Sequence, residues 1–370
     1  MFVSVTPYTK LLLQIIINYN QRCAKALLYL TIDRATLSMH TLHDWGHKMT
    51  VDRLRALVTN DFDAVNTLII DKIQSRVGLI DDLSHYIVES GGKRLRPLLV
   101  LLASHACNYK GQDHISLAAM VEFFHTATLL HDDVVDDSTL RRGRETANEI
   151  WGSKASILVG DYLFTQSVQL MVNAQNWPIL RLMAETSHQI SWGEVKQLAN
   201  RHNPALSTDD YLDVIRSKTA LLFAASATIG ALLGDMDEPI QTGLYNYGLH
   251  LGNAFQLIDD VLDYSADAKT IGKNTGDDLA DGMATMPLLH ALQHGTPEQQ
   301  QLIKQSLKDG GLQNLPEILN AIKTTNAIEF TKQFAAQEID SALIALQVLP
   351  DSIYKEALIE LAQFAINRAF

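Results

Sequence analysis

Cysteine is scarce. Cys23 and Cys107 are the only two in 370 residues, which excludes a disulfide framework or a thiolate metal centre and points to a reducing cytoplasm. Positive charge is short as well: 30 Lys and Arg stand against 42 Asp and Glu, a formal charge of −12. That balance excludes nucleic acid as the main partner. A membrane span is also missing, since a spanning helix needs ~20 mostly apolar residues. The nearest approach, LLLQIII at 11–17, is soon followed by Asn18, Asn20, Gln21 and Arg22, and no small-residue cleavage site accompanies it. Residues 1–50 therefore read as an N-terminal extension, poorly structured or preceding a native start at Met49. An interfacial anchor is the sharper alternative.

Strand-like alternation is hard to find, and no Gly/Ser linker or charge block interrupts the chain after residue 50. What is present is apolar spacing of three and four, repeated to the C-terminus. With 47% hydrophobic and 19% charged residues, the chain can bury a substantial core. Residues 51–370 are expected to form one all-α domain of ten or more helices, several apolar around most of their circumference and therefore central. Pro97, Pro178, Pro204, Pro239, Pro287 and Pro316 fall where the periodicity breaks. The stretch STDDYLDVIRSKTALLFAASATIGALLG reads as a helix capped near Ser207 and Thr208 and stopped at Gly234.

Against this apolar background one acidic pattern occurs twice. LLHDDVVDDS places Asp132, Asp133, Asp136 and Asp137 at the end of an apolar run, and LIDDVLDYS repeats it with Asp259, Asp260 and Asp263. On a helix, positions i and i+4 lie on one face about 6 Å apart along the axis, so Asp132 pairs with Asp136 and Asp259 with Asp263. Carboxylates at a helix C-terminus oppose the macrodipole. One such run is usually a solvated helix end, but the same rule broken twice in the same way marks a shared partner. The spacing is not that of a calcium loop, and no nearby histidines supply a zinc set. Two facing aspartate clusters suit several Mg²⁺ ions bridging a diphosphate, because magnesium takes few carboxylates and completes its shell with water and phosphate oxygens.

A diphosphate also needs protein cations. GGKRLRP supplies Lys93, Arg94 and Arg96 at a Gly-Gly turn, and RRGRE supplies Arg141, Arg142 and Arg144 just after the first motif. The first is not a P-loop, since GxxxxGK[ST] is absent. Glycines beside guanidinium donors nevertheless suit an anionic oxygen cluster. Either cluster alone would read as a solvated turn.

GGKRLRP, LLHDDVVDDSTLRRG, KTA at 218–220, FQLIDDVLDY and GK at 272–273 together resemble the trans-polyprenyl diphosphate synthases, in particular their long-chain bacterial branch. The likeness runs in the family's order over roughly residues 55–370 and leaves the N-terminal segment outside. It implies an isoprenoid-synthase helical bundle around a deep central cavity, assembled as a homodimer. Carried over by position, Asp132, Asp136, Asp259 and Asp263 would hold Mg²⁺ on an allylic diphosphate (farnesyl or geranylgeranyl), supported by Asp133 and Asp260. Arg141, Lys218, Thr219, Gln256 and Lys273 would contact that substrate. Lys93, Arg96, His125 and Arg142 would hold isopentenyl diphosphate. His125 lies two turns before Asp132 on the same helix face; a lone histidine there would ordinarily be a core residue. One departure is Asp281 before Gly282 where relatives often have Glu-Gly, a change expected to be harmless.

The implied chemistry is ionisation of the allylic C–O bond, attack by isopentenyl diphosphate, and loss of a proton, in a dry apolar site. No nucleophilic Ser or Cys is needed, and none lies in the motifs. Short-chain relatives carry an aromatic residue four or five positions before the first aspartate; Thr128 and Ala127 stand there, so a long, octaprenyl product for a quinone side chain is expected. The product would seek membranes, while the enzyme would be soluble or weakly peripheral. A terpene cyclase is disfavoured by the second full aspartate motif. A non-catalytic partner subunit is disfavoured because both motifs are kept.

Overall fold

Seventeen α-helices and one short hairpin make up the described part of the computed structural model, residues 51–141, 143–265, 275–310 and 312–367. Helices α1 (Val51–Ala56), α2 (Thr59–Ile73) and α3 (Gly78–Glu89) lead through the Gly91-Gly92 turn into α4 (Leu95–Ala106) and α5 (Asp113–Val135). Strands β1 (Leu140–Arg141) and β2 (Arg144–Glu145) pair antiparallel, Arg141 opposite Arg144. They are followed by α6 (Ala147–Trp151), α7 (Ser153–Asn173), α8 (Trp177–Ala199) and α9 (Thr208–Ile215). A π-turn (Arg216–Ala220) then joins α9 to α10 (Leu221–Leu233), and α11 (Glu238–Asp263) ends the central part. The C-terminal part comprises α12 (Asp277–Ala280), α13 (Met286–His294), α14 (Pro297–Asp309), α15 (Leu315–Thr324), α16 (Ala327–Ala345) and α17 (Ile353–Asn367). The all-helical expectation holds. Residues 1–50, Arg142 and Lys273 lie outside the described residues.

Local chemistry accounts for the boundaries. Pro178, Pro239, Pro287 and Pro316 each occupy the first turn of a helix, where a missing N–H costs nothing and the fixed φ helps. Asn176, Ser207 and Asp237 each accept a backbone N–H from the first turn that follows, the ordinary N-cap arrangement. Buried faces then set the layers. α4 is buried from Pro97 to Ser104 and α10 from Leu222 to Ala231, as befits helices apolar all round. α10 lies against α4 and α11, α5 packs on α7, and α11 packs on α16.

One boundary departs from the sequence expectation. The stretch from Ser207 to Gly234 is not one regular helix, because its KTA segment lies in the π-turn. Two glycines permit this. A Cβ on Gly193 of α8 would sit 2.6 Å from the Ser217 Cβ, and one on Gly252 of α11 would sit 2.4 Å from the Ala220 Cα. The turn is thus pressed between two helices at positions where only hydrogen fits, and π-turns of this kind recur at functional sites.

Candidate active site

The first aspartate motif closes α5. Asp136 is its C-cap, with its N–H donating to the Asp132 carbonyl at 2.8 Å, and Asp137 leaves the helix in the left-handed region at φ 47°. Asp133 faces inward and is 1% exposed. Its Oδ1 accepts from Arg141 Nε at 2.8 Å and lies 2.7 Å from Arg141 Nη2. The hairpin thereby delivers one of the expected diphosphate-binding arginines back to the motif. Asp132 and Asp136 share the other face and remain half-buried. Asp136 pairs with Arg201, which also donates to the Val135 carbonyl. Burial raises the Asp132 pKa; Lys218 opposes that shift and Asp136 adds to it.

The π-turn reaches both motifs with consecutive residues. Lys218 Nζ donates to Glu194 Oε2 and Gln197 Oε1, each at 2.8 Å, and lies 3.5 Å from Asp132 Oδ2. Thr219 Oγ1 donates to Gln256 Oε1 at 2.9 Å, and Gln256 Nε2 donates to Asp260 Oδ1 at 3.1 Å. The Tyr211 hydroxyl donates to the other oxygen of Asp260. Asp260 is pushed up to about 8 by burial and by the nearby Asp278 charge. Glu194 is pushed up to about 7, again chiefly by burial, with Lys218 acting the other way. Both shifts come first from burial, which disfavours the charged carboxylate, with neighbouring aspartates adding to it.

The second motif closes α11 differently from the first. Asp259 is half-buried, whereas Asp263 is 2% exposed although it shares a helix face with Asp259. The start of α12 folds back over Asp263, whose carboxylate accepts the N–H groups of Asp277 at 3.2 Å and Asp278 at 3.4 Å. Further along, burial raises the pKa of Asp281, and the next influences are Asp136 and Arg201. The segment after the second motif therefore looks onto the first.

The remaining expected residues are distributed unevenly. Arg96 lies with its guanidinium 4.4 Å from the Phe223 ring centroid, and Lys93 Nζ lies 4.7 Å from that of Phe364. His125, Arg141 and Gly91 line one small pocket together with Arg94 and Glu122; Lys93 and Arg96 do not line it. Arg94 is instead tied to Asn66, to the Val88 carbonyl at 3.4 Å and to Glu122 at 3.9 Å. Ala127 is fully buried in the core, and the half-buried Thr128 donates to the His125 carbonyl at 2.8 Å. Arg142 and Lys273, outside the described residues, add nothing to this geometry. Sequence reasoning missed Glu194, Gln197, Arg201 and Tyr211. Glu194 and Gln197 are three residues apart and so share a face of α8, but such a pair reads as solvated surface until α8 meets the π-turn.

The donors gathered at the two motifs are carboxylate oxygens; the one imidazole within them, His131, instead meets Asp161 at 3.3 Å and the Ile157 carbonyl at 3.2 Å. That set fits a hard divalent ion such as Mg²⁺.

Comparison with known proteins bears on family and fold. The polyprenyl synthetase family model matches residues 77–324. Octaprenyl diphosphate synthase of Escherichia coli (strain K12) is 46% identical over 321 residues, covering 86% of this chain and 99% of the relative. The crystal structure of a polyprenyl synthase from Caulobacter crescentus CB15, complexed with calcium and isoprenyl diphosphate, superposes with a TM-score of 0.84 at 42% identity, over 88% of this chain and 100% of that one. A decaprenyl diphosphate synthase structure from Rhodobacter capsulatus gives a TM-score of 0.82 at 41% identity, over 87% and 100%. The neighbours share the isoprenoid-synthase helical fold. The chain belongs to the polyprenyl synthetase family of prenyltransferases.

Proposed function

We propose that this chain is a long-chain trans-polyprenyl diphosphate synthase that adds isopentenyl diphosphate units to farnesyl or geranylgeranyl diphosphate, ending at an octaprenyl product. The observation that carries the reading is the joining of two aspartate motifs through the consecutive residues Lys218 and Thr219. Asp132, Asp136, Asp259 and Asp263 are the residues that would hold Mg²⁺, with Asp263 requiring release of the α12 N–H groups or contact through water. Magnesium bound there would supply Lewis-acid stabilisation of the leaving diphosphate.

The chain's own groups do the rest. Arg141 and Lys218 add fixed positive charge where negative charge develops. Thr219 and Gln256 orient the second motif through Asp260. Asp133 positions Arg141. His125, with Lys93 and Arg96 and with Arg142 and Lys273 from the undescribed segments, completes the assignment of the two diphosphates. The proton lost on condensation goes to the departing diphosphate, so no protein base is needed. Buried helices around the motifs exclude water, which would otherwise quench the allylic cation. Ala127 and Thr128 leave room for a lengthening chain.

Assembly as a homodimer is supported by the large apolar side chains that α7 and α8 leave exposed, Leu158, Trp192 and Val195 among them, which an interface would cover. Among the described residues no helix is long and apolar enough to cross a membrane; a cytoplasmic enzyme releasing a membrane-seeking quinone precursor is the reading adopted. The test is turnover with isopentenyl and farnesyl diphosphates. Asp132→Ala and Asp259→Ala should each lose activity by orders of magnitude with helical content intact, and EDTA should abolish wild-type activity until Mg²⁺ is restored. Near-normal turnover in either variant would break the assignment.

A further inference from the structure

At the other end of α5 from the aspartates stands a second group of metal-ligating side chains. His114 is eighteen residues before Asp132, about 27 Å along a helix axis. It sits in the first turn of α5, beside His105 from the last turn of α4 and Asp61 from the first turn of α2. Asp61 Oδ2 lies 2.6 Å from His105 Nε2 and 3.1 Å from His114 Nε2. One ligand atom from each residue falls within 4.8 Å of the others.

The histidine rings are held in place. His105 stacks on Tyr354 of α17 with centroids 4.8 Å apart, and His114 meets Tyr109 edge-on at 5.7 Å. The His114 side chain is only 6% exposed, and among the described residues its Nδ1 makes no hydrogen bond. Its Nε2 has Asp61 Oδ2 at 3.1 Å as its one polar neighbour. A buried imidazole left in this state is costly unless something else takes its lone pair. Asp61 and His105 are each about a quarter exposed, so the cluster is open on one side.

We propose that Asp61, His105 and His114 form a zinc site, separate from the carboxylate-only diphosphate site. Two imidazoles and one carboxylate match a three-ligand zinc set with the fourth position left to water. Magnesium, which prefers all-oxygen shells, belongs at the aspartate motifs instead. At zinc–ligand bonds of 2.0–2.1 Å a tetrahedral set has its ligand atoms about 3.3 Å apart. To admit the ion, His105 and Asp61 must move apart by less than about 1 Å. The histidines, whose ligand atoms lie within 4.8 Å of each other, must settle to the tetrahedral spacing, with any proton on a ligating nitrogen released to solvent. The Nδ1 of His114 lacks the acceptor that usually supports a zinc-bound histidine, so the site binds more weakly than a fully supported structural zinc. Bound there, the ion ties together α2, α4 and the start of α5.

The experiment is zinc titration of the full chain, untagged and chelator-stripped, against a chromophoric competitor in excess Mg²⁺, with Co²⁺ absorption as the readout of imidazole ligation. One ion per chain is expected. Asp61→Asn and His105→Gln should weaken binding by more than the ~10–100-fold that loss of an outer partner costs, and His114→Ala should do the same. Asp61→Asn is nearly isosteric and decides the matter should His114→Ala fail to fold. Asp132→Ala, and a variant with His40, His43 and His47 all replaced by Ala, should keep the ion. Unchanged zinc binding in Asp61→Asn and His105→Gln, or loss of the ion in either of the last two variants, overturns the proposal.

Discussion

Replacing Gly252 with alanine should cripple the enzyme without touching any group that binds substrate. The new Cβ would fall 2.4 Å from the Ala220 Cα, 2.9 Å from its Cβ and 3.2 Å from its carbonyl oxygen. Carbon atoms settle at about 3.5–4.0 Å, and the obstacles are mostly backbone, so α11 and the π-turn must part by about 1 Å. The Thr219–Gln256 bond, 2.9 Å in the native chain, then stretches beyond hydrogen-bond range. Overpacking of this kind costs about 1–3 kcal/mol, which lowers the melting temperature by roughly 1–5 °C in a domain of this size. Displacing reacting groups by about 1 Å costs on the order of a hundredfold in rate, so turnover should fall much further than stability. Thermal melting followed by circular dichroism and incorporation of labelled isopentenyl diphosphate would measure the two effects. A variant with native melting and native turnover would refute the idea that close approach at Gly252 holds the π-turn in place.

Three further outcomes follow from the geometry. Lys93→Ala or Arg96→Ala should mainly raise the KM for isopentenyl diphosphate, whereas Lys218→Ala, which strips the cation from between Asp132 and Glu194, should act through the allylic substrate; steady-state kinetics with each substrate varied would expose an equal effect on both, and with it a wrong division of the site. Ala127→Tyr should shorten the product while ionisation continues, and mass spectrometry showing an unchanged distribution in an active variant would move length control elsewhere. Glu338 accepts hydrogen bonds from His250 at 2.8 Å and Asn253 at 3.0 Å; burial raises its pKa, but these partners lower it overall. A depressed carboxylate stabilises the fold above its unfolded pKa, and that contribution is lost as pH falls through the folded value. Glu338→Gln should therefore be less stable than wild type at neutral pH and converge on it in acid below that window, and a constant gap in melting temperature across the range would contradict this assignment.

What the sequence determined by itself was what depends on neighbours along the chain. Apolar spacing established the helices, prolines and capping side chains marked their starts, and the two aspartate motifs stood out because a helix puts residues i and i+4 on one face. Family likeness added substrate roles to those positions. Only the tertiary structure decided which polar groups meet. Glu194 and Gln197 become ligands of Lys218 because Gly193 and Gly252 let the π-turn sink between α8 and α11, an approach that no pattern within a single helix encodes. Asp263 is equivalent to Asp259 by spacing, yet it is covered by the start of α12, a segment that returns after leaving the helix. Asp61, His105 and His114 lie on three helices and share no motif. Helical periodicity is a local property, readable from a dozen residues, whereas the charge balance and proton affinity of a buried carboxylate are set by whatever the fold brings within a few ångströms of it.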